Sequence, residues 1–224
     1  MPGASGFDAM RMLACGPARR ARSSVQDRMR RQAIERVERE PLVHAAYHFR
    51  IVPLEAPAGQ VLVAGGERLE APRLLPPAGE LTALACGAAT LGAALEHRVS
   101  ALFAERRVSL ALALDDLGNE LLLAVTRRAQ DRMLAEVRRR GLTMAGELRP
   151  GDPGLALEAQ AAVLRLAQAE RIGVSLGRGA MMRPVKSTSM LLGVGIALPR
   201  ASWSRCDTCP TRGRCSVARA ELHP

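Results

Sequence analysis

The chain has 224 residues, a formal net charge of +10 and 32 Lys or Arg side chains, of which only Lys186 is a lysine. Hydrophobic residues make up 48% but aromatic residues only 2%, so the core is built from aliphatic side chains, and the interleaved basic and aromatic pattern of single-strand nucleic-acid binders is missing. No apolar run approaches the roughly 20 residues that span a bilayer and no long apolar stretch follows a basic start, so the composition predicts a cytoplasmic protein with neither nucleic acid nor membrane as partner.

Along the chain, residues 1–40 read as an N-terminal arm followed by a solvated helix from Ser24 to Glu40. Asp27/Arg31, Glu35/Arg39 and Arg36/Glu40 stand at i,i+4 spacing, and a thin apolar stripe runs through Val25, Met29, Ile34 and Val37. Pro41 stops it. Ala46–Pro53 and Gln60–Ala64 read as strands, with Gly65-Gly66 as a turn, and 70–80 as a proline-rich connection. Thr82–Arg106 reads as a long helix with Leu84, Leu91, Leu95 and Leu102 on one face. Val108–Arg140 reads as a second, bent near Gly118 and stopped at Gly141 after three arginines. Asp115 and Asp116 are expected on its exposed side. Leu142–Leu148 reads as a strand, Leu157–Glu170 as a third helix, Gly173–Leu176 as a short strand and Val185–Ile196 as the last one. The pattern predicts an α+β fold, a mostly antiparallel twisted sheet packed against long helices, over residues 41–200. Residues 201–224 form a separate cysteine-rich tail.

That tail carries the clearest chemical signal. Cys206-Asp-Thr-Cys209 is a C-x2-C pair, with Cys215 six positions on. A two-residue gap lets both thiolates face one ion, and Pro210 and Gly213 let the chain fold back to bring in the third. Arg205, Arg212 and Arg214 favour the thiolate form. Three cysteines leave one ligand position open. Cys86 completes a four-cysteine set, suited to an iron–sulfur cluster or zinc, and His223 completes a Cys3His zinc site. The alternative is a disulfide with a free thiol, which a cytosolic setting disfavours. Cys15 has no such context. On the cysteines alone the chain also reads as an oxidoreductase, coloured when purified without air.

The segment Ile172 to Gly193 is the most unusual. An apolar run gives way to Gly177-Arg178-Gly179, then Met181-Met182-Arg183-Pro184, then a strand with Ser187 and Ser189 on one face. Proline restricts both itself and the residue before it. Gly177-Arg178-Gly179 reads as a plain turn or as an anion-binding nest with Arg178 as its cation. Met181 and Met182 read as core fillers or as a flat apolar contact for a ring.

This segment resembles the reactivation domain of cobalamin-dependent methionine synthase, above all its stand-alone forms, whose pattern is Leu-Thr-Glu-Ser-x-x-Met-x-Pro-x-x-Ser-x-Ser. Leu176, Met182, Pro184, Ser187 and Ser189 fall in register with it. A second block, Leu148-Arg149-Pro150-Gly151 through Leu157-Glu158-Ala159-Gln160, resembles the family's Pro-Gly-Tyr motif with its downstream Leu-Glu-x-Gln. A third, Ala89-Thr90-Leu91-Gly92, matches a stretch expected in a helix. The resemblance spans about residues 40–220. It implies the same α+β fold and an accessory role in cobalamin-dependent methyl transfer. In that role an electron reduces oxidised cobalamin, and S-adenosylmethionine donates the methyl group that returns it to the active form. It also implies a site formed by Pro150, Gly151, Met182, Pro184, Ser187 and Ser189, to which the chain's own Arg149 and Arg178 add cations for a carboxylate or phosphate. The partner is the cobalamin-binding domain of methionine synthase or another corrinoid protein, with an electron donor besides. The chain departs from the pattern at several contacts. Glu147 stands where the family has an arginine, Asp152 where it has an aromatic residue, Gly177-Arg178-Gly179 over its Thr-Glu-Ser, and Leu191-Leu192 over its aromatic pair. Arg149 can stand in for the lost arginine only if the strand bulges. A non-catalytic module that docks a corrinoid protein, or an iron–sulfur electron relay, is the reading these departures favour.

Overall fold

The computed structural model describes residues 3–5, 10 and 23–200. These form strands β1 (Gly3–Ser5), β2 (Ala46–Pro53), β3 (Val61–Ala64), β4 (Glu67–Glu70), β5 (Glu80–Thr90), β6 (Thr143–Leu148), β7 (Ser175–Leu176), β8 (Met182–Arg183) and β9 (Ser187–Ile196), with helices α1 (Ser24–Arg39), α2 (Ala94–Ala104), α3 (Val108–Arg139) and α4 (Gln160–Ala167). Strands β1-β2-β5-β9-β6 make one sheet, antiparallel throughout. The fold is α+β, an antiparallel sheet packed against helices, as the sequence predicts.

Both faces of the sheet are covered. On one face Tyr47, Phe49, Ala85, Ala89, Met190 and Leu192 meet the buried stripes of α1, α2 and α3. On the other, Val52, Leu84, Cys86, Ala88 and Leu191 meet α4 and the β3–β4 hairpin. This explains the largest misassignment of the sequence reading. Residues 82–90 carry helical spacing of leucines, yet they form the middle strand β5, paired with β2 and β9. A strand covered on both faces shows no polar–apolar alternation, and its Ala, Cys and Gly residues reflect close approach of the layers, not helix propensity. At Gly87 an added Cβ would collide with Met133 Cε of α3. The helix within 82–106 is therefore only α2, and Ala89-Thr90 close a strand where a helix is expected.

Helix α3 runs unbroken through Gly118, which is buried. Its missing Cβ leaves room for Leu95 of α2, whose Cδ2 would lie 2.9 Å from it. Helix α1 is less solvated than its charges suggest: Ala33 and Val37 are buried, and Arg30 forks onto Glu120 of α3 at 2.9 and 2.7 Å. The expected third helix is split. A 3-10 turn precedes α4, Gln168 turns left-handed at φ 52° to end it, and a second 3-10 turn follows over Ala169–Ile172.

Candidate functional site

The two principal sequence blocks meet at one end of the sheet. Edge strand β6 pairs Ala145 with Gly193 but Leu148 with Leu191, so one extra residue is accommodated between them. Gly146 takes φ +70° there, the positive φ that such a bulge uses. An extra residue reverses the facing of everything after it. Leu148 turns into the core beside α4, and Arg149 turns to the face carrying Thr188 and Met190. The bulge that Arg149 requires is therefore present, at Gly146–Glu147.

Arg149 is fully engaged locally. Its Nε and Nη2 donate to Glu147 Oε1 at 3.1 and 2.9 Å, and its Nη1 donates to Thr188 Oγ1 at 3.1 Å. Arg149 and Glu147 side chains are 23% and 27% exposed, so the pair sits at the surface with one edge in solvent. Glu147, an opposite charge where an arginine is expected, is neutralised by this contact. Asp152 also has a job of its own: its Oδ2 accepts the Arg149 N–H at 2.8 Å, while its own N–H donates to Arg149 O at 2.8 Å. Pro150 and Gly151 lie inside this closed turn, with Gly151 exposed at φ +94°.

Ser187 and Ser189 do not line an open surface. Both are buried on the α4 side of β9. Ser187 Oγ donates to Thr90 Oγ1 at 2.8 Å, and Gln160 Nε2 donates to Ser189 Oγ at 2.8 Å. These bonds join the blocks that carry the family resemblance: Gln160 ends the second, Ser187 and Ser189 end the first, and Thr90 lies in the third. Met182 is half-buried on β8 and packs against the α4-side core, and Pro184 is half-buried after a cis Arg183–Pro184 bond. Arg178 is exposed in a 3-10 turn, and Gly179 beside it takes φ +65°. The β7–β8 hairpin holds this loop together through Ser175–Arg183 and Leu176–Met182 pairs.

Sequence reading missed the polar groups on the helix side. Lys186 is 7% exposed and places Nζ 2.7 Å from both Asp115 Oδ1 and Asn119 Oδ1 of α3. Asp115 is therefore an ion-pair partner and not a free surface residue. Glu96 of α2 accepts the Val185 N–H at 2.5 Å. Together these bonds pin the start of β9, and with it Thr188, against both helices. Lys186, as the sole lysine, was the available signal.

Of the expected metal ligands, Cys206, Cys209 and Cys215 lie outside the described residues, as does His223. Cys86 sits in mid-β5 with no exposed surface, and burial pushes its thiol up to about 12. It keeps its proton and packs as a small apolar side chain. Among the described residues no group of three His, Cys, Asp or Glu is placed to hold a metal ion, so Cys86 has no co-ligand there. No described helix is long and apolar enough to cross a membrane.

No protein-family model matches the chain and no curated protein matches it. A crystal structure of the MetH reactivation domain bound to AdoHcy matches at a TM-score of 0.58 and 13% identity, covering 87% of this chain and 74% of that one. The likeness is one of fold: this chain has the architecture of that domain.

Proposed function

We propose that this chain is an accessory protein of cobalamin-dependent methyl transfer that takes S-adenosylmethionine at the β6–β9 end of the sheet. Its partner is the cobalamin-binding domain of a methionine synthase or another corrinoid protein. The reading rests on the resemblance and on the fold shared with a domain that binds AdoHcy. The observation that carries it is the bulged β6 edge, which brings the Arg149-Pro150-Gly151 turn onto Thr188 of β9. S-adenosylmethionine, when bound, supplies an electrophilic methyl group. The chain's own part is placement. Arg149 offers a guanidinium to the ligand's carboxylate, but only by loosening its hold on Glu147. Glu147 then suits the ligand's ammonium. Thr188 fixes the Arg149 plane, and the exposed Gly151 allows close backbone approach.

A second reading has its own support. The Ser187 and Ser189 hydroxyls are spent on Thr90 and Gln160, and Arg149 is spent on Glu147. A chain that kept the fold for docking alone would look like this, with the Cys206, Cys209 and Cys215 set stapled by zinc or carrying an iron–sulfur cluster. His223 then suits the fourth position better than the buried Cys86.

Anaerobic calorimetric titration with S-adenosylmethionine separates the two. Saturable binding that weakens at least about tenfold in Arg149→Ala, the scale of one charge-assisted contact, supports the first reading. Absence of binding, with and without a corrinoid domain, sinks it and leaves docking.

A further inference from the structure

The polar cluster on the helix side of β9 leaves two hydrogen-bonding atoms uncommitted. Lys186 Nζ lies 2.7 Å from both Asp115 Oδ1 and Asn119 Oδ1. An ammonium only donates, so Asn119 turns its oxygen to the lysine and its NH2 group away from it. Asp115 and Asn119 each spend one atom on Lys186 and keep the other. Among the described residues neither Asp115 Oδ2 nor Asn119 Nδ2 has a hydrogen-bond partner. Lys186 is 7% exposed, whereas the Asp115 side chain is 40% exposed and Asn119 is exposed. The two residues stand at i,i+4 on α3 and share one face. A buried cation thus holds an acceptor and a donor side by side at the surface.

An acceptor beside a donor is the complement of a vicinal diol. One hydroxyl donates to Asp115 Oδ2, and its neighbour accepts from Asn119 Nδ2. The charge selects the same group. Lys186 and Asp115 balance each other, and the exposed Asp116 follows Asp115 in the helix, so a phosphate is repelled while neutral hydroxyls are not. An apolar group would strip water from both atoms and return no hydrogen bond.

The pair also lies next to the Arg149 turn. Lys186 and Thr188 both direct their side chains to the helix side, two residues or about 7 Å apart along the strand, and Thr188 Oγ1 accepts from Arg149 Nη1 at 3.1 Å. We propose that Asp115 and Asn119, held by Lys186, are the sugar subsite of this end of the sheet and read the ribose diol of a nucleoside ligand. The proposal deepens the reading of S-adenosylmethionine at the β6–β9 end and rests on it for the ligand. With the amino-acid head at Arg149 and Glu147, the ribose is the part of that molecule that carries a neutral diol.

The test is calorimetric titration of the full chain with S-adenosylmethionine, with adenosine and with dideoxyadenosine, which lacks both ribose hydroxyls. The parent should prefer adenosine to dideoxyadenosine by at least about tenfold, the scale of one lost hydrogen bond to a charged group. Asn119→Asp keeps an oxygen for Lys186 but puts an acceptor where the donor stood. Asp115→Asn also keeps an oxygen for Lys186 but turns the other atom into a donor. Each should abolish the preference, whereas Asp116→Asn should leave it unaltered. The preference compares two ligands on one protein, so a loss of stability in a variant does not move it. Binding of S-adenosylmethionine with no preference between the nucleosides, or with a preference that survives both substitutions, overturns the subsite and leaves the methyl-donor reading in place. A preference that both substitutions abolish, without binding of S-adenosylmethionine, upholds the subsite and sinks that reading. Binding of neither nucleoside overturns the subsite whatever S-adenosylmethionine does.

Discussion

Lys186 is the one position where this arginine-rich chain uses a lysine, and its surroundings explain why. Two acceptors one helical turn apart, on Asp115 and Asn119, converge on a single point 2.7 Å from each. A compact ammonium fits that point, whereas a planar guanidinium spreads its donors over a wider fork. The space is tight: a Cβ on Gly118 would come within 3.4 Å of Lys186 Cε. Lys186→Met leaves the two acceptors without their cation. Asp115 is 40% exposed and recovers some solvation, so the expected loss is about 1–3 kcal/mol, below that for a fully buried pair. Lys186→Arg should not restore it, because the larger head overpacks the same gap. Urea unfolding of the three proteins measures this. An Arg variant as stable as the parent would mean that charge alone matters at this position and shape does not.

The elements themselves were unevenly legible. Strand β2, buried on both faces over its first half, was marked by its apolar run ending at Pro53, and helix α1 lies where its pattern puts it because it has one buried side and one solvated side. Strand β5 was hidden for the opposite reason: with both faces covered, its residues carry no period of two, and alanine reads as helix. The site was legible as two blocks, but the facing of Arg149 was not, since it depends on whether the chain bulges at Gly146. The buried state of Ser187 and Ser189 was hidden too, because their partners Thr90 and Gln160 are distant in sequence. The β3–β4 hairpin is fastened to α4 by Glu67 and Arg165, at 2.6 and 2.9 Å. The Arg165 hydrogen bond, against a smaller opposing effect of burial, lowers the Glu67 carboxyl from its ordinary 4.5. A lowered carboxyl stabilises the fold above its unfolded value, and that stability is lost as pH falls through the folded one. Arg165 is 63% exposed, so solvent screening limits the pair to about 0.5 kcal/mol at pH 7. Glu67→Gln should cost that much at neutral pH, and the difference from the parent should shrink and then vanish as pH falls below the ordinary carboxylate range, through the lowered value of the folded state. A cost that stays constant across this range would assign the loss to packing in the hairpin.

At the scale of the molecule, β5 and β9 belong to both cores at once. Each is paired on both edges, β5 by β2 and β9 and β9 by β5 and β6, and each is covered on both faces. Removing the α4 and hairpin layer leaves their ladders paired and one face still packed under α1, α2 and α3. Removing the three-helix layer leaves the other face packed. Their amides therefore become accessible only when the whole fold opens, whereas short elements that touch one core can open alone. Native-state hydrogen exchange should place the Leu84–Ala89 and Met190–Val194 amides together at the highest protection, equal to the free energy of global unfolding from denaturant melts. The β3–β4 and β7–β8 amides should exchange at lower free energy, and the α4 layer between the two. This ordering bears on the candidate site as well, because Arg149 and its turn follow directly on edge strand β6 while Thr188 lies on β9. The site joins a rigid half to a looser one, so a ligand bound across it should raise protection in β6 and the Pro150–Leu155 turn while leaving β5 unchanged. Exchange of β5 amides alongside those of the hairpin would show that the two cores do not share a common scaffold, and the argument for a rigid β9 half of the site would fall with it.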